Sequence, residues 1–334
     1  MSNMKKCCFI IPYFGKLPNY FQLFLKSCEY NPTFNWIVFT DDKTGFHYPD
    51  NVKRVEMSFL ELRDLVQSKF DFPISLERPY KLCDYKPAYG YIFSDFISGY
   101  KMWGHCDIDT LMGHLEDFIT DRDIAIYDKM FTLGHMIIYK NTEENNRLFM
   151  KDFRGVSLYR ESFTTDKITV FDEEGISNGI NINQLFLDYG KKVYTVDHSL
   201  NINNNRIYFR RTVYKGNNEY PNRGGFEAEP YRKAIYLWEN GYVHRYFAYD
   251  GKLIVGNYAY IHLQGRKMEY NNNILSANTF QIIPNKFIRF NHKDITLSNF
   301  YKIKKHPYSL DYFRSVLICK IKYGKIILKN LLKS

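Results

Sequence analysis

Hydrophobic residues along the chain occur as short continuous runs, separated by longer segments that are apolar on one side only. Cys7 to Ile11 is a continuous apolar run closed by Pro12, which is typical of a strand buried on both faces of a parallel sheet. Pro18 to Cys28 has the spacing of an amphipathic helix, and Asn35 to Thr40 is a second buried run. This order predicts a βαβ unit and therefore an α/β fold.

The same criteria predict further elements beyond this unit. They are strands at Val52 to Val55, Ile124 to Tyr127, Gly134 to Lys140, Ala234 to Trp238 and Tyr242 to Phe247, and helices at Ser58 to Phe70 and Thr142 to Phe153. Asn240 and Gly241 favour a tight turn between the last two strands. These two strands are therefore expected to form a hairpin.

Composition and charge narrow the class of protein. The 334-residue chain is 45% hydrophobic, and its six cysteines lack zinc-site spacing, so we expect a substantial core with free thiols in a reducing cytosol. No apolar run approaches the roughly 20 residues of a membrane span, and the N-terminus is not a signal peptide, which predicts a cytoplasmic protein. Residues 302–334 carry nine lysines or arginines against one acid, so most of the net charge of +10 lies in this segment. This distribution, with no nucleic-acid-binding motif, argues against nucleic-acid binding.

The stretch from Trp103 to Gly113 carries the most specific chemical signal. Asp107 and Asp109 follow an apolar run and lie one residue apart, so both carboxylates can point the same way on an extended backbone. Carboxylate oxygens suit Mg²⁺ and Mn²⁺, which are commonly held by one or two carboxylates together with substrate phosphates. The alternative interpretation of such a triplet is a solvated turn or a helix cap.

This combination resembles the metal-binding Asp-x-Asp motif of nucleotide-sugar glycosyltransferases with the GT-A fold. The resemblance implies a Rossmann-like mixed sheet flanked by helices over residues 1–268, in which Asp107 and Asp109 bind Mn²⁺ or Mg²⁺. It also implies nucleotide contacts from Asp107 and from residues placed by their position in the chain, namely Pro12, Tyr13, Phe14, Asp41, Asp84 and Lys86. Ordinary helix-capping acids and surface ion pairs are the alternative for these positions.

A histidine late in the chain extends the resemblance. His262 ends a predicted strand, with Arg266 and Lys267 close behind it. Many metal-dependent GT-A enzymes carry a late histidine as a third metal ligand and a nearby basic residue on the diphosphate, and the resemblance implies these roles here. Fixed positive groups would stabilise the charge of a departing diphosphate. A surface histidine beside two basic residues is the alternative.

A second chemical focus begins at Asp172, Glu173 and Glu174, which precede a Gly- and Asn-rich turn and a predicted helix. An inverting transferase needs one carboxylate to accept the proton of the acceptor hydroxyl, and Asp172 and Glu173 are the candidates for that base. Acids that merely favour a helix N-terminus are the alternative. Gly134 and His135 are further candidates, for lining the acceptor side.

Residues 269–334 are predicted to be a C-terminal extension. Its last part, about 309–333, has the pattern of an amphipathic helix with one apolar stripe (Phe313, Leu317, Ile321, Leu328, Leu331) and one basic stripe (Lys322, Lys325, Lys329, Lys333). Basic residues near an anionic leaflet contribute about 1 kcal/mol each, so we expect peripheral attachment to the inner face of the cell membrane. Docking of the helix on the catalytic domain is the alternative.

Together these features predict a metal-dependent glycosyltransferase. It would transfer a sugar from a nucleotide diphosphate donor, a UDP-sugar by default, to a lipid-linked oligosaccharide in bacterial capsule or surface-polysaccharide synthesis. Two other classes of function remain open. A sugar-phosphate transferase would release UMP, whereas a noncatalytic, membrane-attached glycan-binding protein would bind no nucleotide.

Overall fold

The structure of the chain is a computed structural model that describes residues 4–173, 175, 179–202, 207–216, 225–230 and 232–306, and residues 308, 310, 313, 314, 317, 318, 320, 321 and 324. The strands are β1 Lys5–Pro12, β2 Phe34–Thr40, β3 Val52–Glu56, β4 Tyr100–Cys106, β5 Thr110–Met112, β6 Lys129–Met130, β7 Met136–Lys140, β8 Val193–Tyr194, β9 Ser199–Leu200, β10 Thr212–Tyr214, β11 Phe226–Ala228, β12 Ala234–Glu239, β13 Tyr242–Tyr249, β14 Lys252–Tyr258, β15 Tyr260–His262, β16 Thr279–Ile283 and β17 Lys286–Arg289. The α-helices are α1 Phe21–Glu29, α2 Phe59–Ser68, α3 Leu82–Tyr85, α4 Tyr89–Ile92, α5 Ser94–Ile97, α6 Asp121–Ile126, α7 Glu143–Arg147, α8 Leu158–Phe163, α9 Ile182–Asp188 and α10 Phe300–Ile303.

A seven-stranded sheet with the order β3-β2-β1-β4-β7-β6-β8 organises the protein. The four strands from β3 to β4 are parallel, whereas β7 is antiparallel to both β4 and β6. Successive residues of β1 point to opposite faces, so Cys8 and Ile10 join one hydrophobic cluster and Cys7 and Phe9 join the other. Helices cover both clusters, and the predicted α/β class with a mixed sheet is confirmed.

One predicted strand is wrong. Ile124 to Tyr127 was expected to be extended, but the structure has helix α6 at Asp121–Ile126. Thr120 caps this helix, since its side chain accepts a hydrogen bond from the backbone N–H of Asp123 and the Asp123 carboxylate accepts one from the backbone N–H of Thr120. The capping box, rather than the short apolar run that follows it, determines the local structure.

A second, antiparallel sheet has the order β14-β13-β12-β16-β17. The predicted hairpin is confirmed, because β12 and β13 pair antiparallel around Asn240 and Gly241, both of which have the positive φ that such a tight turn requires. Strand β16 pairs with β12 in the same sheet. The predicted domain boundary after Met268 therefore falls inside this sheet-forming unit.

A small third sheet, β5-β15-β9, follows the end of β4 in the main sheet. Strand β15 pairs antiparallel with β5, which places His262 opposite Thr110. Asp107 and Asp109 lie in the short connection between β4 and β5. This pairing therefore brings the late histidine to the two acids.

The predicted C-terminal helix lies only partly within the described residues. The described positions among residues 310–324 are helical, and Leu310, Phe313, Leu317 and Ile321 are exposed. The other predicted members of the two stripes, Leu328, Leu331, Lys322, Lys325, Lys329 and Lys333, lie outside the described residues. No helix in the described part of the chain has the length and apolar character needed to cross a membrane.

Candidate metal centre

Asp107, Asp109 and His262 form a cluster in which one ligand atom from each side chain lies within 4.8 Å of the others. The His262 Nε2 atom is 3.2 Å from Asp109 Oδ1 and 3.7 Å from Asp107 Oδ2. Adjacent ligands on an octahedral Mg²⁺ or Mn²⁺ ion, with bonds near 2.1 Å, lie about 3 Å apart. Two hard oxygen donors and one imidazole nitrogen therefore fit such an ion in both chemistry and spacing.

The backbone around the cluster fixes the two acids. The Asp107 N–H donates to the His135 carbonyl (2.9 Å), and the Thr110 hydroxyl donates to the Asp107 carbonyl (2.7 Å). The Leu263 N–H donates to the Asp109 carbonyl (2.8 Å), and the Gly265 N–H donates to Asp109 Oδ2. The acids are thus held by the segment after β15 and by His135 before β7, as well as by their own connection.

The imidazole of His262 is oriented by a residue on its far side. His262 Nδ1 lies 3.0 Å from the Asn201 side-chain oxygen, which leaves Nε2 directed at the two acids. A hydrogen bond to the second ring nitrogen is a general feature of histidine ligands, because it fixes both tautomer and ring orientation. Sequence reasoning missed Asn201, since one asparagine in an Asn-rich segment carries no distinguishing signal.

The charges within the cluster shift each other's protonation. Burial alone would lower the pKa of His262, but the Asp109 carboxylate outweighs it and the net pKa is raised. Burial alone would raise the pKa of Asp109, but the neighbouring His262 keeps it below its ordinary value. Each of the two groups therefore favours the charged form of the other.

The cluster opens on a cavity of about 860 Å³. The predicted site residues that line it are Pro12, Tyr13, Phe14, Lys86, Asp107, Asp109, Gly134, His135, Asp172, Glu173, His262, Arg266 and Lys267. Tyr13 lies on the Asp109 side, where burial and the Asp109 carboxylate raise the pKa of its hydroxyl. The structure thus brings residues from six parts of the chain to one concave surface.

Lys86 connects the metal cluster to the second chemical focus. Its Nζ donates to Asp107 Oδ1 (2.7 Å) and to the Gly134 carbonyl (2.8 Å), and it lies 3.2 Å from Asp172 Oδ2. Burial alone would lower the pKa of Lys86, but the carboxylates of Asp107 and Asp172 raise it well above its ordinary value. Lys86 is therefore a fixed cation between two acids.

Asp172 and Glu173 pack against Gly134. The Gly134 N–H donates to Glu173 Oε2 (2.6 Å), and a Cβ at position 134 would lie 2.3 Å from Asp172 Oδ2, so only glycine leaves room for both carboxylates. Asp172 Oδ1 is buried and has no hydrogen-bond partner among the described residues. Burial raises the pKa of Asp172 to about 6. Glu174 lies outside the described residues.

Two predicted nucleotide contacts are not brought to the cavity surface. Asp84 is fully buried in an ion pair with Lys81, 2.6 Å away. Asp41 is exposed beside the β1 end, where its Oδ1 accepts a hydrogen bond from the Gly15 N–H (2.7 Å). Conversely, Tyr80 lines the cavity with 73% of its surface exposed, and no sequence pattern pointed to it.

The fold and the site define an α/β protein with a candidate divalent-metal centre at the end of its main sheet. A family model matches residues 9–291, so the chain belongs to DUF6625, described as a family of unknown function. No curated protein matches the chain.

Proposed function

We propose that the protein is a metal-dependent glycosyltransferase of the GT-A type that transfers a sugar from a nucleotide diphosphate donor, with UDP-sugars as the first candidates. One observation carries this proposal. The Asp107–Asp109–His262 cluster, spaced for Mg²⁺ or Mn²⁺, opens on a cavity that also contains fixed cations and a buried acid. A divalent ion and adjacent cations suit a diphosphate leaving group, and a buried acid suits the deprotonation of an acceptor.

The sheet topology supports the same proposal. Strand order β3-β2-β1-β4 is the order found in the first half of doubly wound nucleotide-binding sheets. Such sheets bind ligands beyond the carboxyl ends of their strands, and Pro12, Tyr13 and Phe14 lie at the carboxyl end of β1 beside the cavity. This loop is the proposed contact surface for the nucleotide.

Each lining residue then has a distinct task. Asp107, Asp109 and His262 would hold the ion, which would neutralise charge on the diphosphate. Arg266, Lys267 and Lys86 also line the cavity and add positive charge to it. Asp172 is favoured over Glu173 as the base, because its Oδ1 is unoccupied within the described structure whereas Glu173 Oε2 accepts the Gly134 N–H. A pKa of about 6 leaves Asp172 ionised at neutral pH and able to accept a proton.

The test is thermal unfolding of the purified protein with Mn²⁺ and a panel of nucleoside diphosphates. A ligand at 100 times its dissociation constant stabilises the folded state by about 2.7 kcal/mol. We expect a metal-dependent shift with UDP in the wild type and in Asp64→Asn, an exposed acid on α2 that serves as the matched control. The shift should be lost in Asp109→Asn and in His262→Gln.

Other outcomes would contradict the proposal in different ways. If none of the nucleotides stabilises the wild type in the presence of Mn²⁺, the result would favour a noncatalytic glycan-binding protein. Hydrolysis of a UDP-sugar to UMP rather than to UDP would identify a sugar-phosphate transferase. If Asp109→Asn and His262→Gln both keep the thermal shift with nucleotide, nucleotide binding does not depend on the metal cluster.

We also propose that the acceptor is lipid-linked and that the C-terminal helix attaches the protein to an anionic membrane surface. Leu310, Phe313, Leu317 and Ile321 recur at helical spacing and are exposed, and nine lysines or arginines against one acid follow residue 301. Vesicles containing phosphatidylglycerol should sediment the wild type and the control Leu60→Ser, but not Leu317→Ser/Ile321→Ser. Equal sedimentation of all three proteins would overturn this part of the proposal.

A further inference from the structure

His135 is a buried cavity residue with an unused ring nitrogen. It is 4% exposed, and its imidazole lies against that of His262, with ring centroids 4.4 Å apart. Its Nδ1 lies 2.7 Å from the Tyr260 hydroxyl, whereas Nε2 is buried and has no hydrogen-bond partner among the described residues. Because His135 lines the cavity, a bound molecule is the available partner for Nε2.

The contact with Tyr260 indicates which nitrogen carries the proton. A phenol is a stronger donor than an imidazole N–H, and an unprotonated imidazole nitrogen is a stronger acceptor than a phenol oxygen. The Tyr260 hydroxyl therefore donates to Nδ1. A neutral ring has a single N–H group, which is then at Nε2. His135 thus presents a buried hydrogen-bond donor without a net charge.

His135 lies next to the metal cluster, because its ring packs against that of His262 and its carbonyl accepts the Asp107 N–H. Gly134, the residue before it, bonds Lys86 through its carbonyl and Glu173 through its N–H, so the base candidates lie next to His135 in the chain's neighbouring contacts. Tyr13 and the rest of the β1 loop line the same cavity. In the proposed function the nucleotide contacts the β1 loop and the diphosphate contacts the metal cluster, so the transferred sugar would lie near the base candidates.

We propose that His135 Nε2 donates a hydrogen bond to a hydroxyl group of the donor sugar, with Tyr260 as the positioning residue that fixes the His135 tautomer. This inference rests on the proposed function. It assigns His135 to the donor sugar, whereas the sequence suggested the acceptor. An uncharged donor suits an uncharged hydroxyl, and the charged groups of the same wall remain available to the diphosphate.

The experiment compares the binding of UDP with that of a UDP-sugar, both in the presence of Mn²⁺. The probe is whichever of UDP-glucose, UDP-galactose and UDP-N-acetylglucosamine stabilises the wild type most. His135→Phe keeps the ring but removes the donor, so we expect its affinity for that UDP-sugar to fall roughly 10-fold while its affinity for UDP stays within 2-fold. Tyr260→Phe keeps His135 but frees its tautomer, and should weaken UDP-sugar binding by a smaller factor of roughly 2 to 5 with UDP again unchanged.

The outcomes separate the two proposals. A wild type that binds no nucleotide overturns the proposed function and, with it, this inference. If UDP binds but His135→Phe has wild-type affinity for the UDP-sugar, the inference alone fails. Equal losses for UDP and the UDP-sugar would assign His135 to the diphosphate and would also overturn it. Should His135→Phe not fold, Tyr260→Phe decides, since unchanged UDP-sugar binding in that variant contradicts the proposed donor.

Discussion

Two lysines five residues apart, Lys81 and Lys86, make ion pairs of different kinds. Lys81 Nζ bonds Asp84 (2.6 Å) and the carbonyls of Ser162 (2.8 Å) and Lys167 (2.6 Å), and both charged side chains are at most 1% exposed. Lys86 also has three partners, but all of them, Asp107, Asp172 and Gly134, line the cavity. The two lysines have similar contacts. They differ in whether the carboxylates paired with them have an oxygen that remains available to a ligand.

The carboxylates paired with the two lysines differ in how many of their oxygens the protein already uses. Asp84 also accepts hydrogen bonds from the backbone N–H groups of Thr169 and Phe171, so both of its oxygens are used by the protein. Asp107 retains an oxygen beside His262, and Asp172 Oδ1 has no partner in the described structure. A satisfied buried pair serves the fold, whereas an acid with an unused oxygen facing a cavity can serve a ligand.

The largest effect on stability is expected for the buried Lys81–Asp84 pair. Lys81→Met leaves Asp84 buried without its cation, which should lower the free energy of unfolding by about 3 to 5 kcal/mol. Urea denaturation measures this change. Lys101→Met, at an exposed position, is the control and should stay within about 0.5 kcal/mol of the wild type. A Lys81→Met protein of wild-type stability would show that the pair does not hold the fold.

The next effect concerns Asp172 and depends on pH. Its folded pKa of about 6 lies above the unfolded value of about 3.9, so its stabilising contribution is full below pH 4 and is lost as pH rises through 6. Relative to the wild type, Asp172→Asn should therefore gain about 2 kcal/mol of unfolding free energy between pH 4 and pH 7.5. Parallel stability curves for the two proteins would contradict the raised pKa.

A smaller effect on stability is expected when Lys86, the lysine that lines the cavity, is replaced. Lys86→Met should cost about 1 to 2 kcal/mol, because water or a cation in the cavity can compensate Asp107 and Asp172. Removing a positive charge 2.7 Å from Asp107 should also strengthen Mn²⁺ binding, measured by calorimetry. Weaker Mn²⁺ binding in Lys86→Met would mean that the lysine orients the acid more than it competes with the metal.

The smallest effect is expected at Asp41. Asp41→Asn retains an oxygen that can accept the Gly15 N–H, and the residue is exposed outside the cavity lining. Its stability should change by less than about 0.5 kcal/mol. UDP affinity should stay within 2-fold of the wild type. A large loss of affinity would return Asp41 to the nucleotide site that the sequence predicted for it.

Local patterns in the sequence predicted much of the fold. The run from Cys7 to Ile11 forms β1, as predicted, and its continuous apolar residues are buried on both faces of the sheet. The spacing of Asp107 and Asp109 was equally local, and their approach to His262 followed from a resemblance rather than from any pattern. Ile124 to Tyr127 failed because its apolar residues fit either a helix or a strand.

The sequence could not distinguish charged residues that lie close together in the chain but have different surroundings. Asp84 and Lys86 lie two residues apart in one charged segment, yet one is sealed against Lys81 and the other faces the cavity. Their difference depends on Thr169 and Asp172, which come from a loop about 85 residues later in the chain. Such long-range partners leave no trace in short-range periodicity.

The pairing of β5 with β15 has a consequence for how the protein is made. Asp109 and the Gly265 N–H that holds it are 156 residues apart, so at a synthesis rate of 5 to 20 residues per second the acids emerge roughly 10 to 30 s before their partner strand. During that interval the nascent chain has no complete site. If the cluster binds Mn²⁺ as proposed, the affinity for Mn²⁺ would therefore appear only after the last quarter of the chain has been made.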